Sequence, residues 1–171
     1  ALGSRPYLPR IEGMEDPRIM TVDELFNEKE VEEGKNAVVM DFGGDWSGIE
    51  AAIHLAEQGC EVTLITARLH VGEEVHQYLR NEYMKKLYEL NIKMKTHHDF
   101  GGIQNGKVII RNLFTHTKEE VDNIEMIILS LGRVPNIELY EEIKNLAPLV
   151  SQIGDCLAPR TIEEATLEGL L

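Results

Sequence analysis

Little in this sequence points to a metal site, a dithiol, a membrane or a nucleic acid. There are two cysteines, Cys60 and Cys156, too far apart to form a CxxC pair. A redox dithiol and a zinc site of that type are therefore not signalled, and the cysteines read as small buried hydrophobes. That usage fits a cytoplasmic setting. Basic residues are the minority, 17 against 30 acidic, so the net charge is −13 and no basic stripe offsets it. A polyanion such as DNA is repelled, which makes nucleic acid a poor partner. No apolar run approaches the roughly 18 residues that cross a bilayer. The first ten residues lack the charged and then apolar pattern of a secretory signal. His97, His98 and His116 have no ligand spacing and read as loop histidines. What remains is the composition of a globular domain, 43% apolar and 27% charged, enough for a real core.

Residues 1–20 are rich in turn formers and read as an extended strap. Thr21 with Glu24 forms a capping box that opens a short helix through Leu25 and Phe26. Asn36 to Phe42 contains Ala-Val-Val-Met, a short, continuous apolar run, as expected of a strand covered on both faces. Gly43, Gly44 and Gly48 follow. Ile49, Ala52, Ile53 and Ala56 then fall at helical spacing, and Gly59 closes that helix. Glu61 to Thr66 is the next strand. Strand, turn, helix and strand make one βαβ unit.

Val75, Leu79, Tyr83, Leu87 and Leu90 mark a second helix, and Asn91 to Thr96 a third parallel strand. Asn105-Gly106 is a hairpin turn between Phe100–Ile103 and Val108–Arg111, with Leu113–His116 and Glu120–Asp122 continuing a meander. Met126 to Leu131 is a further buried strand. Leu149 to Ile153 reads as another strand, and Thr161 with Glu164 caps a last helix that runs to Leu171. The sequence does not open on Met and that helix shows no stop signal, so the chain is expected to be part of a longer polypeptide. The fold expected is α/β: a Rossmann-like three-layer nucleotide-binding domain with a parallel sheet and an antiparallel β-meander, flanked by other pieces.

A dinucleotide site needs a tight turn after a strand and a helix whose N-terminus faces the pyrophosphate. The segment Gly43, Gly44, Asp45, Trp46, Ser47, Gly48 lies where that turn belongs. Gly43 suits the sharp turn and Gly48 the close helix packing. Asp45 stands where the motif has its middle glycine, and brings bulk and negative charge towards two phosphates. At 4 Å and an effective dielectric near 20, like charges repel by roughly 4 kcal/mol as an upper bound. At the end of the second strand NAD sites carry an acidic residue for the ribose. Here Thr66, Ala67 and Arg68 stand instead. Arg68 suits the 2′-phosphate of NADP; read without a ligand, it is a surface cation. Glu50, just inside the helix, is placed either to meet the nicotinamide side or to face solvent. A third reading is that the fold persists while its nucleotide site is weak or vestigial. No side chain reads as a catalytic acid, base or nucleophile.

Three further motifs occur in order. Ala1-Leu2-Gly3-Ser4-Arg5-Pro6 resembles the Ala-Thr-Gly-x-x-Pro segment of flavoproteins with two dinucleotide-binding domains. Leu129 to Asn136, with Gly132 and Arg133, resembles their second such segment. Ile153-Gly154-Asp155-Cys156 resembles the motif whose aspartate, here Asp155, binds the ribityl chain of FAD. Asp155-Cys156-Leu157-Ala158-Pro159-Arg160-Thr161-Ile162 looks like the C-terminal region of the multidomain old-yellow-enzyme group, which includes NADH:flavin oxidoreductases, 2,4-dienoyl-CoA reductase and trimethylamine dehydrogenase. Leu2 departs from the pattern where Thr is usual, and Asp45 departs towards the trimethylamine dehydrogenase branch.

The resemblance implies an NAD(P)-binding Rossmann-like domain over 34–136, flanked by FAD-domain segments at 1–33 and 137–171. It implies NAD(P)H, or ADP, at the glycine turn and a partial FAD site at Asp155. FMN on a TIM barrel and a 4Fe–4S cluster are expected in the full-length protein, whose FAD domain and barrel are this stretch's partners. The function it implies is docking NAD(P)H so that electrons reach FAD, and the stretch alone is expected to be inactive. The alternative is a non-catalytic ADP-binding or vestigial scaffold domain. A disulfide reductase of the glutathione-reductase type needs a dithiol that would have to lie outside this stretch.

Overall fold

The computed structural model describes residues 2–27 and 31–170. Ala1 of the first motif and Leu171 lie outside the described residues. The chain forms two compact units, Leu8–Leu131 and Ala1–Tyr7 with Gly132–Leu171.

The larger unit is built on a five-stranded parallel sheet. Its strands are β2 (Ile19–Thr21), β3 (Asn36–Asp41), β4 (Glu61–Thr66), β5 (Lys93–Lys95) and β9 (Met126–Ser130), in the order β2-β9-β3-β4-β5. Strand β1 (Ser4–Pro6) lies in the other unit. The helices here are α1 (Val22–Asn27), α2 (Trp46–Glu57) and α3 (Gln77–Glu89). Strands β6 (His98–Gln104), β7 (Lys107–Asn112) and β8 (Lys118–Val121) form an antiparallel meander.

The apolar runs of the parallel strands are explained by what covers them. Successive side chains point to opposite faces. Val39, Leu64 and Ile128 pack with Ile49, Ile53 and Leu87 of the helices. Val38, Met40, Ile65 and Ile127 pack with Ile103, Val108 and Ile110 of the meander. Both faces are therefore dry, and the three-layer architecture expected from the sequence is present.

Local chemistry sets the element ends. The Thr21 Oγ accepts the Glu24 N–H and the Glu24 carboxylate takes the Thr21 N–H, so the capping box forms. Asn105 and Gly106 have φ of 52° and 76°, the left-handed pair a two-residue hairpin of this hand requires. Part of the strap becomes β2, which pairs with β9 at the sheet's edge. Arg18 anchors it, donating to Asp16, to the Ile124 carbonyl and to the Gly106 carbonyl. His98 is no loop residue: it opens β6, is buried, and places its ring nitrogens on the Thr96 carbonyl and the Glu119 carboxylate.

In the smaller unit, β1 pairs antiparallel with β10 (Arg133–Pro135). Helix α4 (Glu138–Ile143), a short 3-10 turn at Gly154–Cys156 and α5 (Ile162–Glu168) follow. The strand expected at Leu149–Ile153 is not formed. Leu149 is 83% exposed, and no neighbouring strand among the described residues offers that run a ladder. Helix α5 has the expected Thr161–Glu164 capping box but stops at Glu168 with Gly169 as its C-cap. Both cysteines are buried and unpaired. No helix among the described residues is long and apolar enough to cross a membrane.

Candidate functional site

The end of β3 turns into α2 through residues 42–45 at the C-terminal edge of the sheet. Ligands of open α/β sheets collect at this edge. The left-handed residue of the corner is Gly44, with φ 72°, and not Gly43. A side chain at Gly44 would also meet Arg68 Cγ at 2.9 Å. Gly48 lies one turn into α2 and packs on Asp41. Trp46 and Phe42 are about half exposed beside the turn.

Asp45 is the N-cap of α2, and its carboxylate accepts the Ser47 N–H at 2.8 Å. A helix N-terminus carries unsatisfied N–H groups and a partial positive charge. Asp45 thus supplies an internal anion at the place where a bound phosphate would accept. Beside the bulk and charge expected of it from the sequence, Asp45 brings a competing hydrogen bond.

Arg68, just past β4, is folded over the same corner. Its Nε donates to the Phe42 carbonyl and its Nη2 to the Gly43 carbonyl, both at 3.0 Å, while Nη1 lies 3.3 Å from Glu74. It is therefore no free surface cation, because its guanidinium is engaged by two carbonyls and a carboxylate. Thr66 is fully buried, and its Oγ accepts the Arg68 N–H at 3.2 Å, so the hydroxyl faces inward. Glu50 receives a hydrogen bond of 2.6 Å from the Tyr83 hydroxyl, which pushes the Tyr83 phenol above its ordinary range.

Sequence reasoning missed Asp41, the last residue of β3. It reads as the polar end of an apolar strand, yet it is 2% exposed. Burial pushes its carboxyl up to about 6, against the Gly44 N–H and the Thr66 hydroxyl, which pull it down. Beyond Arg68, a cleft of about 370 Å³ is lined by Leu69, His70, Arg80, Met84, Tyr88 and Met94, among others. Arg80 and the apolar floor carried no sequence signal, because α3 brings them together only in three dimensions.

The structure therefore gathers Gly43, Gly44, Asp45, Trp46, Ser47, Gly48, Thr66 and Arg68 at one corner of the larger unit. Gly132, Arg133 and Asp155 belong to the smaller unit. There Arg133 Nε donates to Ser4 Oγ at 2.8 Å, and the Ser4 hydroxyl donates to Asp155 Oδ2 at 2.9 Å. The first and third flavoprotein-like motifs thus meet through one hydrogen bond.

A family model described as "Pyridine nucleotide-disulphide oxidoreductase" matches residues 1–169. Curated relatives include the bilirubin reductase of Mediterraneibacter gnavus, 25% identical over 100% of this chain and 26% of that protein. The NADH oxidase of Thermoanaerobacter brockii is also 25% identical, over 99% of this chain and 26% of its own length. Among solved structures, the 6-hydroxypseudooxynicotine amine oxidase of Pseudomonas geniculata N1 superposes with a TM-score of 0.85 at 23% identity, covering 98% of this chain and 27% of that one. A 2-naphthoyl-CoA reductase superposes with a TM-score of 0.82 at 26% identity, covering 98% and 25%. The chain spans about a quarter of the length of these relatives. The resemblance to old-yellow-enzyme-like multidomain flavoenzymes is borne out by these structural neighbours.

Proposed function

The chain belongs to the pyridine nucleotide-disulphide oxidoreductase family, and from that premise we propose that it is the nucleotide-docking part of a longer flavin-dependent oxidoreductase. The observation that carries this reading is the corner at 43–48, where the first long strand of the sheet hands over to a capped helix N-terminus. The residues there fit an anionic ligand, because that N-terminus already holds an anion in the Asp45 carboxylate. A diphosphate would take over the Ser47 N–H as Asp45 swings outward. Arg68 would turn from the Phe42 and Gly43 carbonyls to a phosphate, and the 2′-phosphate of NADP is the natural choice for a planar guanidinium. The adenine end would extend past Arg68 into the cleft under Arg80 and Tyr88.

NAD(P)H bound there would supply the hydride, and the protein's part is placement. Ser4, Arg133 and Asp155 would form part of an FAD site in the smaller unit. The rest of the longer polypeptide, with the remainder of the FAD domain and a barrel carrying FMN beside a 4Fe–4S cluster, would take the electrons onward in the cytoplasm.

A second reading is favoured by the same Asp45. A turn that caps its own helix and places two carboxylates near the phosphates suits a domain that holds ADP or serves as scaffold, without hydride transfer. Calorimetric titration with NADPH, NADH and ADP separates the two. Tight NADPH with weak ADP supports the reductase reading, ADP alone supports an ADP-holding domain, and no binding of any of the three overturns the reductase reading and leaves the scaffold.

A further inference from the structure

Asp41 is an acid beneath the corner. It lies in register with Thr66 on β4 and Ser130 on β9. Its Oδ1 accepts the Gly44 N–H at 3.0 Å, whereas Oδ2 is buried and has no hydrogen-bond partner among the described residues. It also touches α2, since a side chain starting at Gly48 would lie 2.8 Å from Asp41 Cβ. Buried carboxylates normally have their lone pairs answered, because an unanswered charge in a dry site is costly. Here Oδ2 lacks a hydrogen bond of ordinary geometry, and the nearby Thr66 hydroxyl only partly offsets the burial.

The charged groups around it do not relieve it. Asp45 at the start of α2 has the same sign and raises its proton affinity; Arg68 on the loop after β4 lowers it. That guanidinium is already divided among the Phe42 carbonyl, the Gly43 carbonyl and Glu74. Glu73, on the same loop, accepts the Leu69 N–H and adds a further acid. The facing residues of β4 and β9, Thr66 and Ser130, are uncharged, and the Thr66 hydroxyl offsets only part of the effect of burial. The corner is therefore richer in negative than in positive charge before any ligand arrives.

We propose that Asp41 is a positioning residue of the nucleotide site that takes up a proton from solvent when the diphosphate of an adenine nucleotide settles on the corner. This rests on the reading of residues 43–48 as that nucleotide's seat. Two phosphate charges above an ionised Asp41 would repel it. A proton on Oδ2 removes that charge and leaves Oδ1 free to keep the Gly44 N–H, so the turn holds its shape while its electrostatics change. Burial already brings this carboxyl up to about 6, so the proton is gained readily near neutral pH. By linkage, a ligand that takes up one proton binds more weakly as pH rises, by at most about tenfold per pH unit.

ADP-ribose is the probe, because its diphosphate does not titrate near neutrality. Calorimetry across mildly acidic to mildly basic pH, in buffers of different ionisation heat, reads both affinity and proton uptake. The expected result is an uptake of a fraction of a proton near neutral pH and an affinity that falls as pH rises. Asp41→Asn should lose the uptake, flatten the pH profile and bind as tightly at basic pH as the parent does, or more tightly. Carbon-13 NMR of the Asp41 carboxyl in the unmutated chain gives a readout independent of the variant's folding: its midpoint should rise when ADP-ribose is added. Binding without proton uptake, with an unmoved Asp41 midpoint, overturns this inference and leaves the nucleotide reading standing. Uptake that persists in Asp41→Asn also overturns it. No binding of ADP-ribose, ADP, NADH or NADPH removes both.

Discussion

Gly48 and Asp41 are packed so closely that a β-carbon added at position 48 would lie 2.8 Å from the β-carbon of Asp41 and 2.9 Å from its carboxyl carbon. Neither neighbour is the far end of a flexible chain, so α2 or β3 would have to move. Gly48→Ala is expected to destabilise the larger unit by about 1–3 kcal/mol, the usual scale for overpacking, despite alanine's better helix propensity. Urea denaturation followed by circular dichroism measures it. A variant as stable as the parent would show that the corner is looser than this contact implies.

Asp45 acts on stability and affinity in opposite directions. Asp45→Gly removes the cap on the Ser47 N–H. The stability loss should be a few tenths of a kcal/mol, because glycine is itself an acceptable N-cap. Dinucleotide affinity should rise, since charge and bulk leave the proposed phosphate seat and the Ser47 N–H becomes available. Fluorescence titration with NADPH and NADH checks this, and unchanged or weaker affinity in the folded variant counts against the geometry.

Arg68→Ala should weaken NADPH more than NADH, by the loss of a charge-assisted pair worth about 1.5–3 kcal/mol. A smaller loss common to both cofactors is expected as well, because Arg68 also braces the Phe42 and Gly43 carbonyls. Equal losses for the two cofactors, measured by competition, would take Arg68 out of the specificity argument.

Asp41 makes stability depend on pH in a set direction. Its folded-state value of about 6 lies above the ordinary 3.8, so the folded chain binds its proton more tightly than the unfolded chain. The stabilisation is fully present below about 3.8 and is lost as pH rises to about 6. Asp41→Asn removes the titration, so its stability relative to the parent should improve by roughly 2–3 kcal/mol between about pH 4 and pH 7. Denaturation of both proteins at several pH values tests the difference, which cancels the titration of the other carboxyls. A pH-independent difference would mean that Asp41 does not titrate in this window.

Much of the architecture could be read from residue order alone, because its causes are local. The apolar runs at 36–41, 61–66 and 126–130 required cover on both faces. Asn105-Gly106 required a tight hairpin, and the Thr21–Glu24 and Thr161–Glu164 pairs required helix starts; all of these depend on residues a few positions apart. The order of motifs likewise marked the flavoprotein resemblance. The tertiary structure decided what depends on neighbours distant in sequence. Leu149–Ile153 is apolar enough for a strand but has no ladder, whereas Ile19–Thr21 finds one at β9. Asp41 is an ordinary polar residue until Thr66, Ser130 and Gly48 enclose it, and Arg68 is an ordinary cation until the chain brings it onto the carbonyls of a turn 25 residues earlier. Burial and charge pairing are properties of assembled surroundings, so the chemistry of the corner emerges only once the sheet has formed.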